Sequence, residues 1–518
     1  MEAGRRIAIG ERSPNAATQA VQRIAARALA CWELWPILGV ALALTAVYYQ
    51  AAPGLGLPFD DSYISLQFAR NLARYGFLTF DGETASAGAT SLLHVALLAV
   101  PIKLGADPVR ASVGLGVLLH LALVAAVYWL GWAIFRDRLV AALSAASAAV
   151  TGYLVFDALN GMETTLFLLV SACAAAALFS AKSERGMLLA GAFGALAVLS
   201  RPEGVLLLGA MVLYEALHPE RGAPLAPAAR RRLALLVAPS VAALTGLAAF
   251  YWASTGTPTP GAATAKLLFF REFEASFQTK FDRIDGGVAN FVAPVLPWLA
   301  LAAFSVRRRE ALLYAFFWVV FIVMYYFLLP GGVTHYWYRY QHAFLVPIVV
   351  FGSAGAVALV RSLPRRGWDL LAAGAIGLVL LAGVGFQYNA FRNHYAEEIQ
   401  LSERRQIDLA LYLRDVVPPG GTVATHDIGA IGYYSERTVI DLVGLIDPDV
   451  TEYHSGRRLR EYVDRVQPDY IVVFPSWEDS FLHLGLKDAP ALFEPVMLFG
   501  GGPNREPFVV YKTHYQDR

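Results

Sequence analysis

The chain has 518 residues, of which 57% are hydrophobic and only 16% charged, and its mean hydropathy is +0.48. Soluble domains of this length seldom leave charge so scarce, so lipid is the expected solvent. A formal net charge of +1 supplies no basic field, and nucleic acid is not an expected partner.

In chain order, residues 1–32 read as a polar tail bearing Arg5, Arg6, Arg12, Arg23 and Arg27. No small-residue cleavage site follows the first apolar run, which therefore reads as a retained anchor. Apolar runs able to cross a bilayer lie near 33–51, 113–135, 139–157, 163–181, 233–252, 288–306, 311–329, 341–360 and 368–387, each near the required length of about 20 residues. Two shorter runs, 187–200 and 204–217, flank Arg201-Pro202-Glu203-Gly204. They read as helices broken by proline at one membrane face. Ser91 to Leu104 is short and carries His94, Pro101 and Lys103, so it reads as a re-entrant or surface helix. Cys31 and Cys173 fall in distant apolar stretches and read as small core hydrophobes.

Short-loop Lys and Arg clusters fix the expected orientation. Arg136 and Arg138, Lys182 and Arg185, Arg221 with Arg230 to Arg232, Arg307 to Arg309, and Arg361 with Arg365 and Arg366 all fall on the face of the N-terminal tail, the cytoplasmic one. Ala52 to Ser112, Ser254 to Gly287 and everything after Gln387 then lie outside. The expected fold is an all-α polytopic membrane domain over 33–387, with about eleven transmembrane helices. A small extracytoplasmic α/β domain over 388–518 follows. In it, apolar runs at Thr422–Thr425, Thr438–Leu442, Tyr470–Phe474 and Phe508–Tyr511 and a helical run at Arg457–Val466 alternate with turn signals.

The first outer loop, 52–112, opens on Pro58-Phe59-Asp60-Asp61-Ser62-Tyr63-Ile64. Beyond it, Ile64, Phe68, Leu72 and Tyr75 share one helical stripe and Gln67, Arg70, Asn71 and Arg74 the opposite one, the pattern of a helix lying in the membrane surface. Two readings of the acidic pair stand equally. Asp61 or Ser62 is a plain helix N-cap, or repulsion between adjacent carboxylates raises one pKa and makes that group a base. Placement favours Asp61 for capping and Asp60 for the cleft. Outer-face cations able to bind an anion are Arg201, Lys266, His335 and Arg339. His335 to Tyr340 reads either as an interfacial aromatic belt or as a sugar and phosphate platform that includes Tyr338. His426 and Asp427, and Asp441, Asp447 and Asp449, read first as turn-capping groups. Gly500 to Gly502 precede no helix, which disfavours a nucleotide-linked donor.

Asp60-Asp61-Ser62-Tyr63-Ile64-Ser65 with Phe68-Ala69-Arg70-Asn71-Leu72 resembles the first-loop signature of GT-C glycosyltransferases, above all the terminal arabinofuranosyltransferases of the mycobacterial cell wall. Gly161-Met162-Glu163-Thr164, Arg201-Pro202-Glu203-Gly204, Thr257-Pro258-Thr259 with Lys266, and Gly432-Tyr433-Tyr434-Ser435 followed by Asp441-Leu442 match the same group in order. The resemblance implies a multi-pass enzyme of the bacterial inner membrane. It would move a sugar, arabinofuranose in that subgroup, from a polyprenyl phosphate donor to an extracytoplasmic glycan, lipid or protein. It implies catalytic roles for Asp60 and Asp61, with Glu163, Glu203, Tyr338, Tyr434 and Asp441 toward substrate. Membrane lipids are the remaining partner; no cofactor is required, and a divalent cation is left open. A flagellar-motor accessory protein shares much of the pattern, so a non-catalytic assembly protein is the alternative. A transporter is less favoured, since the break at Pro202 has no mirror partner.

Overall fold

The computed structural model describes residues 31–52, 54, 56–217, 226–259, 261–328, 335–364, 367–502 and 505–516. The N-terminal arginines, Arg221, Arg365 and Arg366 lie outside the described residues.

Among the described residues six helices are long and apolar enough to cross a membrane, or seven when the pair Arg138–Val150 and Gly152–Leu159, bent by 57°, counts as one crossing. Other expected spans are shorter than a bilayer asks, such as Leu34–Gln50 with 17 residues and Glu203–Ala216 with 14. Helix length alone therefore does not separate the about eleven crossings that the apolar runs suggest. Local signals set the ends. Asp107 caps Pro108–Phe135 by accepting the Arg110 N–H at 2.9 Å, and Ser183 caps Glu184–Ser200 through Gly186. Gly256, at φ 75°, ends Pro227–Thr255 in a left-handed conformation that glycine adopts without strain.

Small residues let the helices close on one another, as in membrane bundles generally. Thr164–Ser180 buries its alanines, Ala172 to Ala177 among them, against Pro108–Phe135 and Glu184–Ser200. Leu345–Ser362 meets Leu296–Ala302 so closely that a Cβ on Gly355 would stand 1.8 Å from the Leu301 carbonyl oxygen. The basic clusters gather at the bundle end remote from the first loop: Arg138 pairs with Glu33 at 2.8 Å, Arg361 pairs with Asp137, and Arg308 lies over Phe135.

The last apolar run belongs to a helix of 35 residues, Trp368–Ser402, that continues without a break past the 387/388 boundary expected between domains. It leads into a five-stranded sheet in the order β2-β1-β3-β5-β4, with β1 Thr422–Thr425, β2 Thr438–Asp441, β3 Tyr470–Val473, β4 Phe493–Phe499 and β5 Phe508–Thr513. Strands β2, β1 and β3 run parallel, whereas β3, β5 and β4 pair antiparallel. The β4 strand was not expected, because Pro495 interrupts its apolar pattern and a bulge follows at Pro495/Met497.

The first-loop helix, Asp60–Tyr75, differs from the expected surface helix. It is packed between protein elements, against Leu92–Lys103 and Gly429–Tyr434. Gln67 and Asn71, from the stripe expected to face water, are buried and donate to the Phe80 carbonyl at 2.7 and 2.8 Å. Tyr75, from the apolar stripe, is exposed. The stripe was misread because long side chains on the polar face close a local loop instead of solvating it.

The orientation can be tested at exposed sites. Cysteine in place of Ser276 or Ser455, in a chain lacking Cys31 and Cys173, should react with an impermeant thiol reagent added to intact cells, and cysteine in place of Ser183 should not. Labelling of the Ser183 site would reverse the topology.

Candidate active site

Asp60 and Asp61 stand in the first turn of Asp60–Tyr75, where unpaired helix N–H groups favour negative charge. The two carboxylates take different partners. Asp60 is 5% exposed and both its oxygens accept backbone N–H bonds, from Gly429 and from Ala430, each at 2.8 Å. Glycine is required at the first of these, because a Cβ on Gly429 would lie 2.0 Å from the Asp60 carbonyl oxygen. Burial raises the Asp60 carboxyl to about 7, against the pull of these two N–H groups and with a smaller push from Asp61. The expected division, Asp61 for capping and Asp60 for the cleft, meets a different set of bonds. Asp60 ties the first loop to the C-terminal domain, and Asp61, with 25% of its side chain exposed, accepts from Arg339 at 3.2 Å. Burial raises the Asp61 carboxyl too, but the charges of Arg339, Lys266 and His335 outweigh it and hold the group at about 2.

Both aspartates line a cavity of about 410 Å³ between the helical bundle and the C-terminal domain. Lys266, His335, Tyr336 and Tyr340 also line it. The His335–Tyr338 segment is a left-handed turn, with φ of 45°, 57° and 64° at Tyr336, Trp337 and Tyr338. For residues with a Cβ this conformation costs about 1–2 kcal/mol each. Packing holds it: Tyr336 stacks on Phe59 with centroids 4.0 Å apart, Trp337 stacks on His394 at 3.6 Å, and His342 Nε2 lies 2.9 Å from the Trp337 carbonyl oxygen. This segment is thus an internal wall, with Trp337 turned into protein contacts.

Arg201 is placed differently from the other cations. It is 5% exposed and bonds Glu163 and Glu203, each at 2.6 Å, while Glu203 also accepts from Tyr325 at 2.7 Å. The cluster lies behind the cavity wall, with the Tyr340 ring 5.2 Å from the Arg201 guanidinium and 5.0 Å from that of Arg339. Arg201, Arg339, Glu163, Glu203, Tyr338, Tyr434 and Asp441 are not among the lining residues; Arg339 is buried and meets the cavity through its pair with Asp61. Tyr434 packs edge-on to Tyr63 at 5.4 Å. Asp441 is fully buried and accepts N–H bonds from Val443 at 2.8 Å and Ile446 at 2.9 Å; it shapes the turn after β2.

Sequence reasoning missed one wall of the cavity. Arg405, Arg505, Glu398, Phe270 and Trp477 line it, beside His426 and Asp427. Nothing local marks these residues, since separate elements supply them, Phe270 after the Ala262–Phe269 helix and the others from residue 398 onward. Burial, then the charge of Asp60, pushes Asp427 well above the usual carboxylate range. Among the described residues no group of three or more His, Cys, Asp or Glu side chains is arranged to hold a metal ion.

Residues 392–515 match a family described as a domain of unknown function (DUF8728). A search of curated proteins finds no match. Among solved structures, ArnT from Cupriavidus metallidurans bound to undecaprenyl phosphate is similar with a TM-score of 0.52 at 14% identity, over 92% of this chain and 97% of that one. The oligosaccharyltransferase AglB from Archaeoglobus fulgidus, in complex with an inhibitory peptide and a dolichol-phosphate, is similar with a TM-score of 0.55 at 13% identity, over 94% and 75%. The arabinofuranosyltransferase AftD from Mycobacteria gives 0.51 at 17% identity, over 92% of this chain but only 41% of that one. These likenesses show that the chain shares the fold of these structures.

The Arg201 cluster can be tested as a structural unit. Arg201→Gln leaves two buried carboxylates without their cation, and stability should fall by about 3–5 kcal/mol. A variant that melts like the parent would show that Arg201 does not hold the bundle together.

Proposed function

We propose that the chain is an integral membrane glycosyltransferase that takes a sugar from a polyprenyl phosphate and transfers it to an acceptor on the outer face. The observation that carries this reading is the cavity, where an ionised carboxylate, Asp61, stands beside Lys266, His335 and the Asp61-bound Arg339. The chemistry asks for that pairing. An acceptor hydroxyl attacks the anomeric carbon and gives up its proton, while the bond from that carbon to the phosphate oxygen breaks and the phosphate leaves with the electron pair. Asp61 receives the proton. Lys266 and Arg339 hold the departing phosphate, which needs fixed positive charge and no proton.

ArnT bound to undecaprenyl phosphate and AglB bound to a dolichol-phosphate support a lipid-linked donor for a cavity of this fold. The finer identity, arabinofuranose transferred within a cell envelope, rests on the motif resemblance and makes decaprenyl- or undecaprenyl-phosphate arabinofuranose the first donor to try. Asp60 in this reading is a positioning residue. It holds the loop carrying Asp61 against the C-terminal domain.

Asp61→Asn should lower turnover by about 10² to 10⁴ while the protein melts like the parent. Asp60→Asn should instead cost about 1–3 kcal/mol of stability, the worth of a charge-assisted hydrogen bond whose loss leaves a buried donor unpaired. The pH profile separates the two. A base works only when ionised, so activity is lost as pH falls through its pKa. With Asp61, held at about 2, kcat/KM should stay level from about pH 8 to about pH 5. A half-loss near the Asp60 value of about 7 would return the catalytic role to Asp60.

A further inference from the structure

The part of the cavity lining that includes His426, Arg405 and Trp477 carries polar groups that the transfer chemistry does not use. His426 is 3% exposed and lines the cavity, and neither ring nitrogen has a hydrogen-bond partner among the described residues, the nearest carboxylate oxygen being that of Asp427, 4.0 Å from Nε2. A buried imidazole left in that state loses the hydrogen bonds it had in water. Its ring stacks on Trp477 with centroids 4.3 Å apart and planes 27° from parallel. Burial, helped by the charge of Arg405, pushes His426 down to about 3, so the ring is neutral at physiological pH and offers one donor and one acceptor.

Arg405 stands on the same wall. Its guanidinium lies 4.0 Å over the Phe474 ring, its Nε is buried without a partner, and no carboxylate pairs with it among the described residues. The neighbouring cation, Arg505, is already paired with Glu398 at 3.2 Å. Asp427, Glu506 and Glu398 act on Arg405 through their charge but form no ion pair with it among the described residues, so a guanidinium over an aromatic face keeps donors for a bound anion. Trp477 and Phe270, in edge contact at 5.8 Å, add apolar faces beside these polar groups. Apolar faces next to paired donors and acceptors suit a sugar ring, which has C–H faces and hydroxyl edges.

We propose that this wall is the acceptor subsite and that it takes a glycan whose terminal ring bears a negative charge, with Trp477 against the ring, His426 on its hydroxyls and Arg405 on the anionic group. The inference rests on the glycosyltransferase reading for the word acceptor, but not for the binding itself. It narrows the acceptor from glycan, lipid or protein to an acidic glycan. Donor phosphate and acceptor charge would then each have its own cation within one cavity, with the reacting hydroxyl near Asp61.

The test uses the purified full chain in nanodiscs and reads sugar binding by saturation-transfer NMR, which needs no turnover. The probes are the methyl glycosides of glucuronic and galacturonic acid and, as neutral counterparts, those of glucose and galactose. The acidic probes should bind about tenfold or more tightly than the neutral ones. Arg405→Gln should remove that preference, and Arg405→Lys should restore part of it. Trp477→Phe and His426→Gln should weaken the acidic and neutral probes alike. Equal binding of acidic and neutral probes, no binding of any of them, or an acidic preference that survives Arg405→Gln would each overturn the proposal. Undecaprenyl phosphate binding on the same preparation reports on the donor reading by itself. Its absence alongside intact acidic-sugar binding would sink the transferase function and leave the sugar site standing.

Discussion

The arrangement of the site depends on the Asp60 carboxylate accepting the N–H groups of Gly429 and Ala430. Those residues are separated from Asp60 by nearly the whole membrane bundle in sequence, and the bond brings the start of the chain onto its C-terminal domain. Around it the contact is sealed by Arg70, which donates to the Tyr433 carbonyl at 3.1 Å and lies over the Tyr433 ring at 4.4 Å. Ser86 donates to the Ile446 carbonyl at 3.3 Å. A buried carboxylate facing a backbone with no side chain at Gly429 tolerates little displacement. Asp61, one residue on, is therefore fixed relative to both domains, and the cavity has a defined floor.

A second constraint is charge pairing behind that floor. Arg201 with Glu163 and Glu203 forms a buried ion-paired group, and Arg339 pairs with Asp61, which lines the cavity. Tyr340 lies within cation–π distance of both arginines. The two arginines look alike in sequence, since each is an arginine beside an apolar helix. They differ in how many carboxylates they meet: Arg201 is bound on two sides, while Arg339 shares one aspartate that is itself open to the cavity.

The same distinction explains what could be read from the sequence. Hydropathy runs mark the bundle because lipid requires them, and the alternating C-terminal pattern marks four of the strands at β1, β2, β3 and β5. The β4 strand is hidden by Pro495, and the continuity of Trp368–Ser402 is hidden because its apolar and polar halves read as different elements. At the site, Asp60, Asp61, Lys266 and His335 are legible because a charge at the end of an apolar run is costly unless something holds it. That rule cannot say what does the holding. Glu163, Glu203 and Asp441 obey it equally well through structural partners. Arg405, His426 and Trp477 come together only when the sheet folds, and their sequence neighbours give no period or motif that would join them.

The Arg339 pairing carries a consequence for how the proposed reaction is ordered. In the free protein Arg339 neutralises Asp61, which keeps the carboxylate ionised but a poor acceptor of protons. A donor phosphate has the stronger claim on a guanidinium, because it brings more negative charge and can bind it through two oxygens. Its arrival draws Arg339, and with it Lys266, toward the leaving group. Asp61 then loses the cations that hold its pKa low, at the moment when a hydroxyl needs a base. Asp60 cannot take over the vacated partner, since both its oxygens are committed to Gly429 and Ala430. The backbone clamp on one carboxylate thus leaves the other free to respond to the donor.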